Sequence, residues 1–230
     1  MENPNLELLT NAAELLKPLL DELVFVGGCV AALLITDRAA GNIRPTYDVD
    51  AIAAIASRAD YITFSERLHE LGFTEDTRED APICRWRNGE TILDVMPLDE
   101  KILGFSNRWY KPAMEYAEEY ELKLDLRIRV VSAPYFCATK FDAFRGRGKS
   151  DYFSSHDLED LIAVIDGRRQ IVDELRSAPE DVRTYVASEI SRLLSTTQFL
   201  DAVPGYLLPD SASQARVGGL LERLRELSVL

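Results

Sequence analysis

Leucines recur at helical spacing near the N-terminus, at Leu8, Leu9, Leu15, Leu16, Leu19 and Leu20, and predict an amphipathic helix from about Leu6 to Leu23. An apolar run, Leu23-Val24-Phe25-Val26, ends in Gly27-Gly28 and predicts a strand that turns into a short apolar helix over Cys29–Ile35. The breakers Gly41, Asn42 and Pro45 mark a loop from Asp37 to Thr46. Alternation then predicts a strand over Tyr47–Ile55, with Asp48 and Asp50 on one face and Val49, Ala51 and Ala53 on the other. A helix over Tyr61–Leu71 closes at Gly72. Ile83–Arg87 and Thr91–Met96 flank Asn88-Gly89, a hairpin signal that puts Asp94 on the second arm.

Two short strands follow, Tyr120–Asp125 and Arg127–Val131, after which the period becomes helical. The expected helices are Pro134–Arg145, Asp157–Ile165, Arg168–Leu175, Pro179–Leu194 and Ser211–Leu227. The fold class is therefore α/β (α+β): a small mixed sheet flanked by helices, followed by a helical C-terminal half. Domains are expected at 1–131 and 132–230, and the short breaker Ser132-Ala133-Pro134 predicts two halves packed around one cleft.

Composition narrows the class. The 230 residues are 47% apolar and 28% charged, enough for a sizeable core. No segment approaches the ~20 consecutive apolar residues of a membrane span. The start Met-Glu-Asn-Pro-Asn lacks the basic and apolar regions of a secretory signal. Cys29, Cys84 and Cys137 are too widely spaced for a zinc site and odd in number for a disulfide framework. Together these predict a soluble cytoplasmic protein. A net charge of −13 argues against extensive non-specific binding of RNA or DNA. It leaves room for a local basic strip, for which Arg127, Arg129, Arg145, Arg147, Lys149, Arg168 and Arg169 are the candidates.

The candidate chemistry lies in three carboxylates. Asp48 and Asp50 on one face of an apolar strand repel unless a cation lies between them. With Asp94 from a neighbouring strand they would offer hard oxygen donors to Mg²⁺, with Mn²⁺ as a substitute. Gly27-Gly28 before a helix lets backbone approach a phosphate. Either motif alone is weak, because strand-to-helix turns often use glycine and Asp-x-Asp is common on exposed strands. In order, the set resembles the polymerase-β-like nucleotidyltransferase superfamily, whose signature is Gly-Gly, a helix, Asp-x-Asp and a later strand Asp. The segment Arg44-Pro45-Thr46-Tyr47-Asp48-Val49-Asp50 is similar to a form found in its bacterial branches. The resemblance implies a Mg²⁺-dependent enzyme with an NTP as co-substrate. Asp48, Asp50 and Asp94 would be its metal ligands and catalytic residues, and Gly27, Gly28 and Thr46 would be nucleotide-binding.

A second block, Lys140-Phe141-Asp142-Ala143-Phe144-Arg145-Gly146-Arg147 followed by His156-Asp157-Leu158-Glu159-Asp160-Leu161, resembles the AbiEii/AbiGii toxin-type branch. That resemblance implies triphosphate contacts from Lys140 and Arg147, a catalytic Lys140 and Asp157, a tRNA or protein acceptor, and a cognate antitoxin as partner. His156 replaces the branch's basic residue, and the loop Gly148–Ser155 is longer than its usual connection and lacks its arginine. Read without the resemblance, the block is a charged helix pair in which Asp157 caps a helix. Other readings of the chain are a small-molecule nucleotidyltransferase of the antibiotic-modifying kind, a non-catalytic nucleotide-binding regulator, and a structural partner. His69 reads as an exposed helix residue, and Trp86 and Trp109 as core or cleft wall.

Overall fold

The computed structural model describes residues 3–37, 39–40, 43–147 and 151–230. The breakers Gly41 and Asn42, the start of the basic loop Gly148–Ser150 with Lys149, and the first two residues lie outside them. The chain divides into two compact units, Met1–Ala32 with Pro45–Ser132, and Leu33–Arg44 with Ala133–Leu230. The second unit thus takes residues 33–44 out of the segment that the sequence assigns to the N-terminal half.

The first unit carries every described strand. In chain order it runs α1 (Pro4–Leu15), a 3-10 turn (Lys17–Glu22), β1 (Leu23–Val26), a second 3-10 turn (Gly28–Val30), and α2 (Ala31–Leu34), where the chain passes to the other unit. It resumes with β2 (Val49–Ala53), α3 (Arg58–Glu70), β3 (Thr74–Glu75), β4 (Arg85–Asn88) and β5 (Thr91–Met96). Then follow α4 (Glu100–Leu103), α5 (Tyr110–Glu115), β6 (Glu118–Lys123) and β7 (Leu126–Val130). The sheet order is β3-β4-β5-β2-β1-β7-β6, with β2/β5 and β1/β7 parallel and the other pairs antiparallel. Leu9, Ala12 and Ala13 form the buried stripe of α1, which lies against β2, β5 and β7. The central strands are near-continuous apolar runs, as buried strands are.

The second unit is helical: α6 (Ala133–Arg147), α7 (His156–Gly167), α8 (Ile171–Ser177), α9 (Glu180–Leu194), α10 (Thr197–Ala202), a 3-10 turn (Val203–Tyr206), α11 (Ser211–Gln214) and α12 (Val217–Leu227). α6 is its axis, buried almost all round and packed on α7, α8 and α9. Thr36 and Asp37 are bound to this bundle by backbone, since their N–H groups both donate to Gly167 O. Arg168 donates to Leu34 O, and Asp37 pairs with Arg169 and Arg216.

Several expected elements shift for identifiable reasons. The first helix stops at Leu15 because Pro18 has no N–H to donate, and a 3-10 turn carries the chain on to Glu22. α3 starts at Arg58, earlier than expected, because the Ser57 hydroxyl caps it by accepting the Asp60 N–H. Asp48 precedes β2 instead of lying within it. The hairpin turn is Gly89-Glu90, since Asn88 pairs with Thr91, and Gly89 takes the positive φ of +56° at the first turn position. α7 ends at Gly167 and Arg168 is extended, so α8 begins only at Ile171. The last expected helix is broken at Ala215-Arg216, where Gly218-Gly219 give α12 little tendency to propagate backwards.

Leu93, fully buried in β5, and Leu124, 83% exposed, make a clean contrast. Leu93→Ala should cost about 2–5 kcal/mol, whereas Leu124→Ala should change stability by less than about 0.5 kcal/mol. Urea unfolding followed by tryptophan fluorescence reads this unit selectively, because Trp86 and Trp109 both belong to it.

Candidate functional site

The sheet assembles one row of residues across four strands. Val26 pairs with Asp50, Asp50 with Asp94, and Asp94 with Arg85. Residues directly opposite share a face, so two carboxylates stand side by side on neighbouring parallel strands, a juxtaposition that is destabilising in itself. Arg85 answers it: Nε donates to Asp94 Oδ1 at 2.8 Å and Nη2 to Asp94 Oδ2 at 2.7 Å. The same Nη2 donates to Asp48 Oδ2 at 2.7 Å, so one guanidinium gathers two of the three carboxylates. The Asp94 hydrogen bonds raise the Arg85 pKa against the opposing effect of burial. Beside it the Cys84 thiol is pushed up to about 12, first by burial and then by Asp94 and Asp50, and is no nucleophile at neutral pH.

Neither Arg85 nor Asn5 is among the residues the sequence singles out. A loop at Asn88-Gly89 would oppose Ile83 to Asp94; moving it one residue, to Gly89-Glu90, brings Arg85 there. The available signal was the alternation Arg85-Trp86-Arg87, which sends both arginines to one face while Trp86 is buried on the other. Asn5, fully buried in α1, accepts the Thr46 N–H at 3.0 Å. The Thr46 hydroxyl in turn donates to Asp48 Oδ1 at 2.9 Å, so Thr46 orients a carboxylate in this structure.

Gly27 has φ +73°, and a Cβ there would lie 2.7 Å from Asp50 Cγ and nearer still to its oxygen. Only glycine suits both the backbone and the space, and the Asp50 carboxylate lies against its main chain. Gly28 opens a 3-10 turn and then α2, seven helical residues in all, too few for the N-terminal field of a long helix. The donor set of Asp48, Asp50 and Asp94 suits a hard dication in chemistry. Among the described residues, however, no three His, Cys, Asp or Glu side chains stand gathered as a ready cation site. Asp48 and Asp94 are instead turned onto Arg85.

In the helical unit the second block forms a buried ionic cluster. Lys140, 8% exposed, donates from Nζ to Asp160 Oδ2 at 2.6 Å and to Asp157 Oδ1 at 3.4 Å. Arg147 grips Asp157 through Nε and Nη2 at 3.0 and 2.9 Å. Arg44, next to the Thr46 motif in sequence, turns to this cluster, 3.7 Å from Asp160 and 3.5 Å from Glu159. Burial alone would raise the Asp157 carboxyl, but Arg147 and Lys140 outweigh it and hold it below its ordinary 3.8. The helix cap is Ser155, whose hydroxyl accepts the Leu158 N–H, and Asp157 lies inside the first turn. Lys140, Arg147, Asp157 and Asp160 thus meet one another.

The basic strip is largely committed locally. Arg129 donates to Asp21 O and Met114 O, Arg145 to Glu189, Arg168 to Glu174, and Arg169 to Asp37. Arg127 is exposed, 4.0 Å from Glu121. His69 is an exposed residue of α3, as expected, with its ring bonded to Phe73 O and packed edge-on against Trp86. Trp86 and Trp109 are both buried, and Cys29, Cys84 and Cys137 are buried thiols. No helix among the described residues is long and apolar enough to cross a membrane.

No family model matches the chain, and no curated protein matches it. Among solved structures it is similar to the crystal structure of an antigenic nucleotidyltransferase-like protein from Paracoccidioides brasiliensis, at 18% identity and a TM-score of 0.47. That likeness covers 87% of this chain and 94% of the other. A likeness at this level transfers no residue and no reaction.

Lys140→Met would leave Asp157 and Asp160 buried without their shared cation and should cost about 3–5 kcal/mol, read as faster amide hydrogen exchange in α6 and α7. The pH dependence has a fixed sign. Because the Asp157 pKa is lowered on folding, its contribution is complete above 3.8 and is lost as pH falls through the folded value. Asp157→Asn should therefore flatten the acid limb of the stability profile below pH 3.8.

Proposed function

We propose that this protein is a metal-dependent nucleotidyltransferase, which moves a nucleoside monophosphate from an NTP to an acceptor hydroxyl and releases pyrophosphate. The observation that supports this reading is the row in which Asp50 and Asp94 lie side by side, with Asp48 drawn to the same guanidinium and Asp50 resting on Gly27. Like charges so placed lower stability, and a fold keeps them where a cation is to be held. Asp48, Asp50 and Asp94 would hold Mg²⁺, which when bound neutralises phosphate charge and lowers the pKa of the attacking hydroxyl. Thr46 and Asn5 keep Asp48 turned toward the row. Gly27, without a side chain, leaves the room against its main chain that the Asp50 carboxylate occupies.

For the acceptor, a hydroxyl on a protein is favoured over tRNA. The net charge of −13, together with the local partners of Arg129, Arg145 and Arg147, leaves little cation density for a phosphate backbone. The same charge would suit a polycationic small molecule, which is the second reading. A toxin role with a cognate antitoxin rests on the resemblance of the second block alone.

Asp50→Asn should retain the fold and reduce transfer of labelled nucleoside monophosphate by about a hundredfold or more, since a neutral amide is a poor ligand for a hard dication. The assay supplies Mg²⁺ and each α-labelled NTP in turn, with a cell extract as the source of acceptors. Undiminished turnover in the variant would refute the assignment.

A further inference from the structure

Arg85 is joined to two carboxylates that come from different parts of the chain, Asp48 before β2 and Asp94 within β5. Its side chain is 18% exposed, that of Asp48 32% and that of Asp94 9%, so the bridge borders solvent. Among the described residues it does not leave the charges of Asp48 and Asp94 balanced. One guanidinium faces two carboxylates, whereas a divalent ion in its place would neutralise both. The contacts with Asp94 use the arginine fork on both oxygens, and the Asp48 contact comes from a nitrogen already engaged with Asp94. A purely structural ion pair between β4 and β5 needs only Asp94. Drawing in Asp48 as well makes Arg85 occupy the position of charge that the carboxylates would otherwise offer to a metal.

We propose that Arg85 is a tethered counter-ion that closes the carboxylate site and competes with the divalent cation, so that metal binding requires its release from Asp48 and Asp94. This rests on the nucleotidyltransferase reading and adds to it a positioning residue that sets cation affinity. The closed state keeps Asp48 and Asp94 turned onto a common point. It also lowers the apparent affinity for the metal by the fraction of molecules in which the guanidinium remains docked. A nucleotide arriving with its own Mg²⁺ would bring phosphate oxygens able to accept the released guanidinium in place of the carboxylates.

The test is Mn²⁺ binding to the full-length chain without nucleotide, measured by the loss of the free-ion paramagnetic resonance signal. Wild type is compared with Arg85→Gln, Arg85→Lys and Asp50→Asn, and circular dichroism monitors folding. Arg85→Gln should bind Mn²⁺ about tenfold more tightly or better, and Arg85→Lys, which keeps the charge but not the fork, should fall between it and wild type. A residue that merely supports the sheet would weaken binding when replaced, so the direction of change separates the two roles. If Arg85→Gln does not fold, Arg85→Lys carries the test and must still bind more tightly than wild type. Equal or weaker binding in the Arg85 variants, with Asp50→Asn losing the ion, overturns the competition and leaves the metal-site reading standing. No Mn²⁺ binding by wild type and Arg85→Gln alike, or undiminished binding by Asp50→Asn, overturns both.

Discussion

Two ionised side chains held next to each other on adjacent parallel strands impose most of what is unusual in the sheet unit. Asp50 and Asp94 cannot move apart without breaking the β2/β5 register, which is itself held by buried Val49, Ile52, Leu93 and Val95. The repulsion must therefore be met by neighbours. Arg85 meets it from β4, the next strand, through the hairpin register that the Gly89-Glu90 turn imposes. Gly27, just after β1, gives Asp50 room by having no side chain where that carboxylate lies. Remove the charged pair and none of the three features, the register, the positive-φ glycine or the half-buried arginine, has a physical reason to be present together.

The helical unit handles buried charge differently. Lys140, Asp157 and Asp160 are all under 9% exposed, and their contacts close on one another and on Arg147. Such a cluster is costly to disrupt because each removal strands a partner in a medium that solvates it poorly. It ties α6 to α7, and through Arg44 it holds the end of the segment 33–44 to the same bundle. The carboxylate row borders water, and Arg85 joins two of its members, Asp48 and Asp94.

With 39 acidic and 26 basic residues, the chain has arginines to spare only where carboxylates leave them, and those in the expected basic strip hold neighbours instead. Specific contacts to one nucleotide remain compatible with this balance, because they depend on a few placed donors.

The amino-acid order is enough to read the class of fold, the position of most strands and helices, and the three carboxylates. These follow from local rules: period-two and period-3.6 burial, breakers, and the cost of aspartate inside apolar strands. It placed Asp94 on a hairpin's second arm and Asp50 on a strand after Gly27-Gly28, as found. What those carboxylates face follows only from how the strands and helices pack. One residue of difference in a two-residue turn shifts the β4/β5 register by two, and this puts Arg85, not Ile83, opposite Asp94. Only the packing of α1 under the sheet lets Asn5 reach Thr46, 41 positions away. Likewise, only the folded bundle shows that Lys140 and Arg147 close on Asp157, because partners in space leave no spacing signal along the chain.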